Sequence, residues 1–151
     1  MFLGLDVVNV FVYGTLKPGE SNYQHYCAAK VLSAKRASAL GQLFALPFGY
    51  PAMTPGESLV QGFLLSFPDS AILRHLDWLE DYHPHRPAEE TEYHRQVIEI
   101  YNSVFASLGK AWAYLMTPEQ VHLCDGILIP DGWWSGCGLS VADYINLDEA
   151  N

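Results

Sequence analysis

A glycine-containing turn near the start of the chain is the first place where this sequence could bind an anion or polarise a carbonyl group. The apolar, β-branched run at residues 7–12 predicts a buried strand. The strand ends at Tyr13 and Gly14, where glycine lets the backbone turn without a Cβ clash. Backbone N–H groups left without ladder partners at such a point suit a carboxylate or a developing oxyanion. The alternative is that Gly14 only makes a tight strand-to-helix turn.

A carboxylate on a helix is the second candidate. Residues 71–81 predict a helix whose apolar side chains share one arc of roughly 120°: Ile72, Leu73, Leu76 and Leu79. Glu80 projects between Leu73 and Leu76, near the middle of that face. Such a position is unusual because a charged carboxylate is almost never fully buried without a partner. Three structural explanations compete: Glu80 reaches water from a fraying last turn, it pairs with a core arginine such as Arg95, or the helix ends earlier.

Other polar patterns do not predict a metal, phosphate or nucleophile site. The turn lacks the second glycine and the lysine–hydroxyl pair of a phosphate-binding loop. Lys17 is a single charge on a turn, and we expect it to be solvated. The pair His83 and His85 has no third ligand at a diagnostic spacing. Three scattered cysteines follow no metal-ligand spacing: Cys27, Cys124 and Cys137.

The elements that must position these residues begin with a short helix at 21–30, capped by Ser21. Strands are predicted at 38–45 and 59–67, separated by a long ordered loop at 47–56 that is rich in proline and glycine. Gly62 inside the second of these strands indicates a bulge or a close backbone approach.

The second half of the chain predicts an antiparallel pair of strands at 93–101 and 111–116. Thr117 and Pro118 then have the pattern of an N-cap with proline at the first helical position, which predicts a brief helix to about residue 124. Residues 129–145 are expected to pack around the sheet or its edge. The order of elements favours one α+β domain, residues 1–151, with a small, curled, mostly antiparallel β-barrel flanked by short helices.

Composition limits the partners and the compartment. Half of the 151 residues are apolar, enough for a core, and the net charge of −9 disfavours nucleic acid and anionic membrane surfaces as partners. No apolar run approaches ~18 residues, and the first residues lack a basic segment typical of a signal peptide. We therefore expect a cytoplasmic protein. Its oligomeric state is not predicted.

Three ordered motifs resemble the γ-glutamylcyclotransferase-like family, which includes γ-glutamylamine cyclotransferases and the plant AIG2-like proteins. They are Val-Phe-Val-Tyr-Gly-Thr-Leu-Lys at 10–17, Leu-Asp-Trp-Leu-Glu-Asp-Tyr at 76–82 and Tyr-His-Arg at 93–95. Gly62 and Tyr114 also fit, so the resemblance spans about residues 8–116. The loop at 82–92 is longer and more acidic than expected for the γ-glutamylamine branch.

The resemblance implies that the α-amine of a small γ-glutamyl substrate attacks its own γ-carbonyl, which releases 5-oxoproline and the attached amine. Glu80 would be the general base and acid, without cofactor or metal. The resemblance also implies a set of substrate-binding residues: Tyr13, Gly14, Thr15, Leu16, Tyr93 and Tyr114. Apolar neighbours would raise the pKa of Glu80 from its ordinary value of ~4.3 and suit it to this proton transfer.

Two other functions remain open at this point. A non-catalytic module could keep the fold and the pocket and bind a small carboxylate-bearing metabolite without turnover. A buried carboxylate such as Glu80 would bring nothing to such a module, and this favours the enzyme. An amidase that releases free glutamate would need an activated serine or cysteine, and the sequence shows none. Arg95 is interpreted as a residue that braces a strand.

Overall fold

Five strands close into a mixed β-barrel. The computed structural model describes residues 7–80, 93–138 and 140. The strands are β1 (Val8–Val12), β2 (Ser33–Ala45), β3 (Pro51–Phe67), β4 (His94–Tyr101) and β5 (Ser107–Leu115). They follow the order β3-β1-β5-β4-β2 and close where β2 pairs with β3. The β1–β5 pair is parallel and the other pairs of the barrel are antiparallel, so the predicted curled barrel is confirmed.

Strand β1 is buried on both faces. Its alternate side chains enter two separate apolar clusters, with Val10 and Val12 in one and Phe11 in the other. This burial explains why the sequence of β1 is almost continuously apolar instead of alternating. Helix α2 (Ala71–Leu79) packs on the cluster of Val10 and Val12 through the predicted apolar arc.

The other helices are short. Helix α3 (Pro118–Leu123) begins as predicted, since the Thr117 hydroxyl accepts a hydrogen bond of 3.1 Å from the Gln120 amide. The predicted helix at 21–30 is wrong in extent: α1 (Tyr23–Tyr26) has one turn, and Asn22, not Ser21, precedes it. The α-helical ladder stops because the Ala28 amide donates to the carbonyl of Tyr23, five residues back. No helix in the described part of the chain combines the length and the apolar character that crossing a membrane requires.

Strand β3 begins earlier than predicted. The sequence predicts a loop over 47–56, yet residues 51–54 pair with β2, from Ala45↔Pro51 to Gln42↔Thr54. Proline is tolerated at Pro51 because it is the first residue of the strand. The register then shifts between Gly41 and Gln42, which leaves residues 55–57 without partners in β2. The same pairing extends β2 back to Ser33.

The C-terminal segment runs along the outside of the barrel. Strand β6 (Ile127–Leu128) pairs antiparallel with the end of β2. The Ile129 amide then donates to Leu43, and the Gly132 carbonyl accepts from the Gln61 amide of β3. Packing at the barrel edge is therefore confirmed for this segment, whereas residues 139 and 141–145 lie outside the described residues.

Gly62 is a point of close backbone approach, as one of the two sequence interpretations proposed. A Cβ atom at this position would lie 2.1 Å from the carbonyl oxygen of Val12. The ladder irregularity of β3 lies elsewhere, opposite Gly41. Gly62 is thus required by the tight packing of β3 over the end of β1.

We predict that Gly62→Ala destabilises the barrel by roughly 3 kcal/mol, because the new methyl group would meet backbone that no side-chain rotation can clear. The measurement is the free energy of unfolding from urea titration. Gly49→Ala is the control, since a Cβ there meets nothing within 4 Å, although φ is +92°. Its expected cost is roughly 1 kcal/mol. Equal losses for the two variants would contradict the close approach.

Candidate active site

A cavity of about 280 Å³ lies between the loop after β1 and the C-terminal end of α2. Its lining comes from β1, β3, α2, β5 and the loops between them: Phe11, Val12, Tyr13, Gly14, Thr15, Leu16, Asn22, Tyr50, Pro51, Leu79, Glu80, Tyr93 and Tyr114. The seven residues that the sequence predicts for the site are all in this lining. The structure thus brings them together, and their roles in binding and catalysis stay predictions.

Hydrogen bonds accepted by its carbonyl groups fix the loop at residues 13–16. The Gly14 carbonyl accepts from the Lys17 amide at 3.1 Å, and the Thr15 carbonyl accepts from the Asn22 amide at 2.8 Å. The Asn22 side chain also donates to the Thr15 hydroxyl at 2.9 Å. Gly14 packs so closely on β3 that a Cβ would lie 2.7 Å from Pro51. The loop conformation is therefore fixed from several sides.

The amides of the same loop belong to residues that line the cavity. Within the described residues, the N–H groups of Gly14, Thr15 and Leu16 donate to no protein acceptor. Gly14 and Leu16 are buried and Thr15 is half-buried. Buried backbone donors are nearly always paired. Three consecutive amides without an acceptor are therefore unusual, and they could together bind a hydrogen-bond acceptor. An oxygen atom of a ligand would satisfy them.

Three tyrosine hydroxyls around the cavity bond to protein atoms. Tyr13 donates to the carbonyl of Tyr114 at 2.6 Å and accepts from the Met53 amide at 3.3 Å. Tyr93 donates to the carbonyl of Pro51 at 2.7 Å. Tyr114 donates to the Asp77 carboxylate at 2.6 Å. The three side chains therefore tie together β1, β3, β5 and α2, and they line the cavity with hydroxyls already in use.

Glu80 follows the last residue of α2. The predicted helix over 71–81 is too long, because the helix ends at Leu79 and Glu80 is its C-cap, with φ −88° and ψ 7°. This is the third of the structural explanations that the sequence left open. The Glu80 amide still donates to Leu76 at 2.9 Å, while the side chain lines the cavity and is half-buried rather than fully buried.

The charge of Glu80 acts on the cavity wall. Burial raises the pKa of the Tyr13 hydroxyl well above its usual range, and the Glu80 carboxylate raises it further. The pKa of Tyr114 is also raised, by burial first, then by its hydrogen bond to Asp77, and to a smaller extent by Glu80. Both tyrosines therefore stay neutral, and the negative charge of the described lining belongs to Glu80.

Arg95 braces the back of the site. Its Nε atom lies 3.0 Å from the Asp77 carboxylate, which also accepts from Tyr114. The guanidinium group lies 4.5 Å from the ring centroid of Trp112. This ion pair joins β4 to α2, in agreement with the bracing role that the sequence suggested. Asp77, not Glu80, is the carboxylate that the Arg95 Nε contacts.

Lys17 is buried, and the prediction that it is solvated is wrong. Its side chain has 0% exposure. The ammonium group donates to the carbonyl of Trp134 and lies 3.4 Å from the ring centroid of Trp133. Burial lowers its pKa to about 8, although the Glu20 carboxylate opposes this shift. Local sequence gave no signal of this, because the partners lie more than a hundred residues later in the chain.

Metal ligation has no support in the described part of the chain, where no group of three or more His, Cys, Asp or Glu side chains is placed to hold an ion. The pair His83 and His85 lies outside the described residues. The long acidic loop at 82–92 also lies outside the described residues.

Comparison with known proteins gives the family. The model of the family described as gamma-glutamyl cyclotransferase, AIG2-like, matches residues 10–136. This chain belongs to that family. A gamma-L-glutamyl-butirosin B gamma-glutamyl cyclotransferase of Niallia circulans is 39% identical over 74 residues, which cover 49% of this chain and 46% of that protein. This family membership confirms the resemblance that the three motifs predict.

A second relative matches over most of its length. A Vibrio cholerae protein with the provisional name gamma-glutamylcyclotransferase is 30% identical over 124 residues, or 82% of this chain and 93% of that protein. Among solved structures, a mouse AIG2-like protein superposes with a TM-score of 0.62 at 23% identity, and the match covers 86% of this chain and 89% of the mouse chain. At that identity the likeness supports the barrel fold.

We predict a distinctive pH dependence of stability from Lys17. The pKa of Lys17 falls from its ordinary 10.5 to about 8 on folding. Between these values the unfolded chain binds more protons, so the Lys17 contribution to stability increases as the pH rises. The difference between these two pKa values corresponds to a change in the free energy of unfolding on the order of 3 kcal/mol. The measurement is the free energy of unfolding of the wild type minus that of Lys17→Met, from pH 7 to 10.

The subtraction removes the opposing effect of other groups, such as Cys27, whose pKa burial raises to about 12. Lys35→Met, which removes an exposed lysine, is the matched control and should give a flat difference. If the difference in free energy of unfolding between wild type and Lys17→Met is also independent of pH, the claim that the Lys17 ammonium is buried is contradicted.

Proposed function

We propose that this protein is an enzyme that converts a small γ-glutamyl amine or amide to 5-oxoproline and the free amine. The observation that carries the proposal is the shared cavity lining: Glu80 borders the same space as residues 14–16, whose amides have no acceptor in the described part of the chain. One wall offers hydrogen-bond donors to an oxygen and the other offers a proton acceptor. Family membership agrees with this reaction and does not by itself assign the substrate.

The loop amides would bind an oxygen of the γ-glutamyl group, either its α-carboxylate or its γ-carbonyl. Both are acceptors, and both carry negative charge, the carboxylate permanently and the carbonyl oxygen in the transition state. The cavity lining among the described residues holds no lysine or arginine, so backbone donors are the natural partners for that charge. Donors preorganised on a carbonyl oxygen contribute roughly 3–4 kcal/mol to stabilising the transition state.

Glu80 would carry the proton. The substrate α-amine is an ammonium group in water and becomes a nucleophile only when a base removes its proton. We propose that the Glu80 carboxylate takes this proton, that the amine nitrogen then bonds to the γ-carbon, and that Glu80 returns a proton to the departing nitrogen as its bond to that carbon breaks. The ring nitrogen then passes its second proton through Glu80 to the released amine, so the products are 5-oxoproline and an ammonium ion, and the carboxylate is regenerated.

Ring closure needs no nucleophile from the protein. The attacking nitrogen and the carbonyl carbon belong to the same molecule, and closure gives a five-membered ring. The enzyme must therefore hold one conformer of the γ-glutamyl group, in which the two atoms are close. The aromatic rings of Tyr13, Tyr93 and Tyr114 would supply the rigid walls for this, since their hydroxyls are engaged with protein atoms. The predicted role of these tyrosines in substrate binding would then belong to their rings.

We predict that Glu80→Gln lowers kcat for 5-oxoproline formation by roughly 10²- to 10⁴-fold, because the amide keeps the shape of the side chain but accepts no proton. The substrates to test are γ-glutamyl-ε-lysine, γ-glutamyl-alanine and glutathione, with 5-oxoproline quantified by chromatography. Glu57→Gln is the matched control, since Glu57 is exposed on β3 and absent from the cavity lining. It should retain wild-type rates.

Turnover that survives Glu80→Gln unchanged would remove Glu80 as the proton carrier. If the wild type forms no 5-oxoproline from any of the three substrates, yet they raise its melting temperature, the protein binds without turnover and the proposal fails.

A further inference from the structure

A cluster of buried polar and aromatic groups lies directly behind the loop at residues 13–16. Lys17 follows this loop in sequence, and Glu20 ends the next turn, where its amide donates to the Lys17 carbonyl at 2.9 Å. Glu20 is 5% exposed. Neither side chain lines the cavity. Two charged residues are thus buried next to the proposed donor amides without facing the substrate.

Both side chains hold the same C-terminal segment, residues 133–137. The Lys17 ammonium donates to the Trp134 carbonyl and lies over the ring of Trp133. The Glu20 carboxylate accepts from the Ser135 hydroxyl at 2.6 Å and from the Gly136 amide at 3.0 Å. We name these contacts the Lys17–Glu20 clamp.

The clamped segment is itself anchored to the barrel. Before it reaches the clamp, the chain pairs with β2 through β6 and accepts from Gln61 of β3 at the Gly132 carbonyl. A Cβ on Gly132 would lie 2.0 Å from the Leu59 carbonyl, so the two backbones touch. The Arg36 guanidinium of β2 also lies 5.4 Å from the Trp133 ring centroid. The segment therefore gives the loop a second attachment to the barrel, separate from β1.

We propose that Lys17 and Glu20 are positioning residues, and that through the segment 133–137 they fix the loop whose amides bind the reacting oxygen. This inference rests on the proposed function. A buried charged group fixes the segment that hydrogen-bonds to it, because movement of that segment would leave the charge desolvated and without those bonds. The loop amides must be held within a fraction of an ångström to stabilise a developing charge. Lys17, Glu20 and the two tryptophans would thus serve the proposed site without lining the cavity.

We predict that Lys17→Met lowers kcat/KM for 5-oxoproline formation by roughly 10- to 100-fold in protein that is fully folded, because a misplacement of about 1 Å costs that much. The decrease should appear mainly in kcat, since orientation matters most in the transition state. Lys35→Met is the matched control and should leave kcat/KM within twofold. Folding is verified by circular dichroism and by a melting temperature well above the assay temperature.

Hydrogen exchange measured by NMR tests the loop directly and needs no turnover. The Asn22 amide closes the loop by donating to Thr15, so its exchange should accelerate at least tenfold in Lys17→Met, with the amides of β1 unchanged. If the wild type makes no 5-oxoproline, the proposed function fails. The exchange rate of the Asn22 amide in Lys17→Met then shows by itself whether the Lys17–Glu20 clamp holds the loop. With an active wild type, an unchanged kcat/KM or unchanged Asn22 exchange in the folded variant overturns the proposal.

Two further variants cover the case in which Lys17→Met does not fold. Glu20→Gln replaces an acceptor oxygen with a donor against the Ser135 hydroxyl and the Gly136 amide, and Trp133→Leu removes the ring under the ammonium. Each should reproduce both effects, and the double variant should lose less than the sum of the two single losses because both act through one segment. Full additivity or a wild-type profile in both variants would overturn the clamp.

Discussion

The site depends on three backbone amides that find no acceptor among the residues that the structure describes. Each buried N–H without a partner costs about 1–3 kcal/mol, so a loop of this kind relaxes unless its surroundings hold it. Here β1 is paired on both edges and buried on both faces. Pro51 blocks the space beside Gly14, and Asn22 holds the Thr15 carbonyl. The barrel thus keeps the donors in place until a ligand oxygen arrives.

Hydrogen bonds from aromatic side chains connect the elements that border the cavity. The hydroxyl of Tyr13 reaches β5 and that of Tyr114 reaches α2. The Asp77–Arg95 ion pair then connects α2 to β4. Because Glu80 directly follows α2, these contacts fix the carboxylate relative to the loop on the opposite wall. The polar network of the barrel is therefore also the means by which the loop amides and the Glu80 carboxylate keep their separation.

Local chemistry predicted part of this structure well. Thr117 followed by proline is typical of a helix start. Gly62 in an apolar strand indicates a bulge or a close backbone approach, and the structure shows the close approach. The three motifs contain six of the seven predicted site residues because each motif adjoins the end of a strand or helix, and the seventh, Tyr114, lies near the end of β5. The end of α2 was misjudged because hydrophobic periodicity does not reveal where the last turn stops. Lys17 was misjudged for a different reason: its environment is made by Trp133 and Trp134, and only the closed barrel brings them together.

The most direct test of the central claim is an NMR titration of the ¹⁵N-labelled protein with 5-oxoproline, the proposed product. Binding of a ligand oxygen to the unpaired amides predicts downfield proton shifts of Gly14, Thr15 and Leu16 that saturate together, with smaller changes at the strand amides of β1. Saturable binding that leaves these three amides unchanged and shifts a different surface would contradict the account.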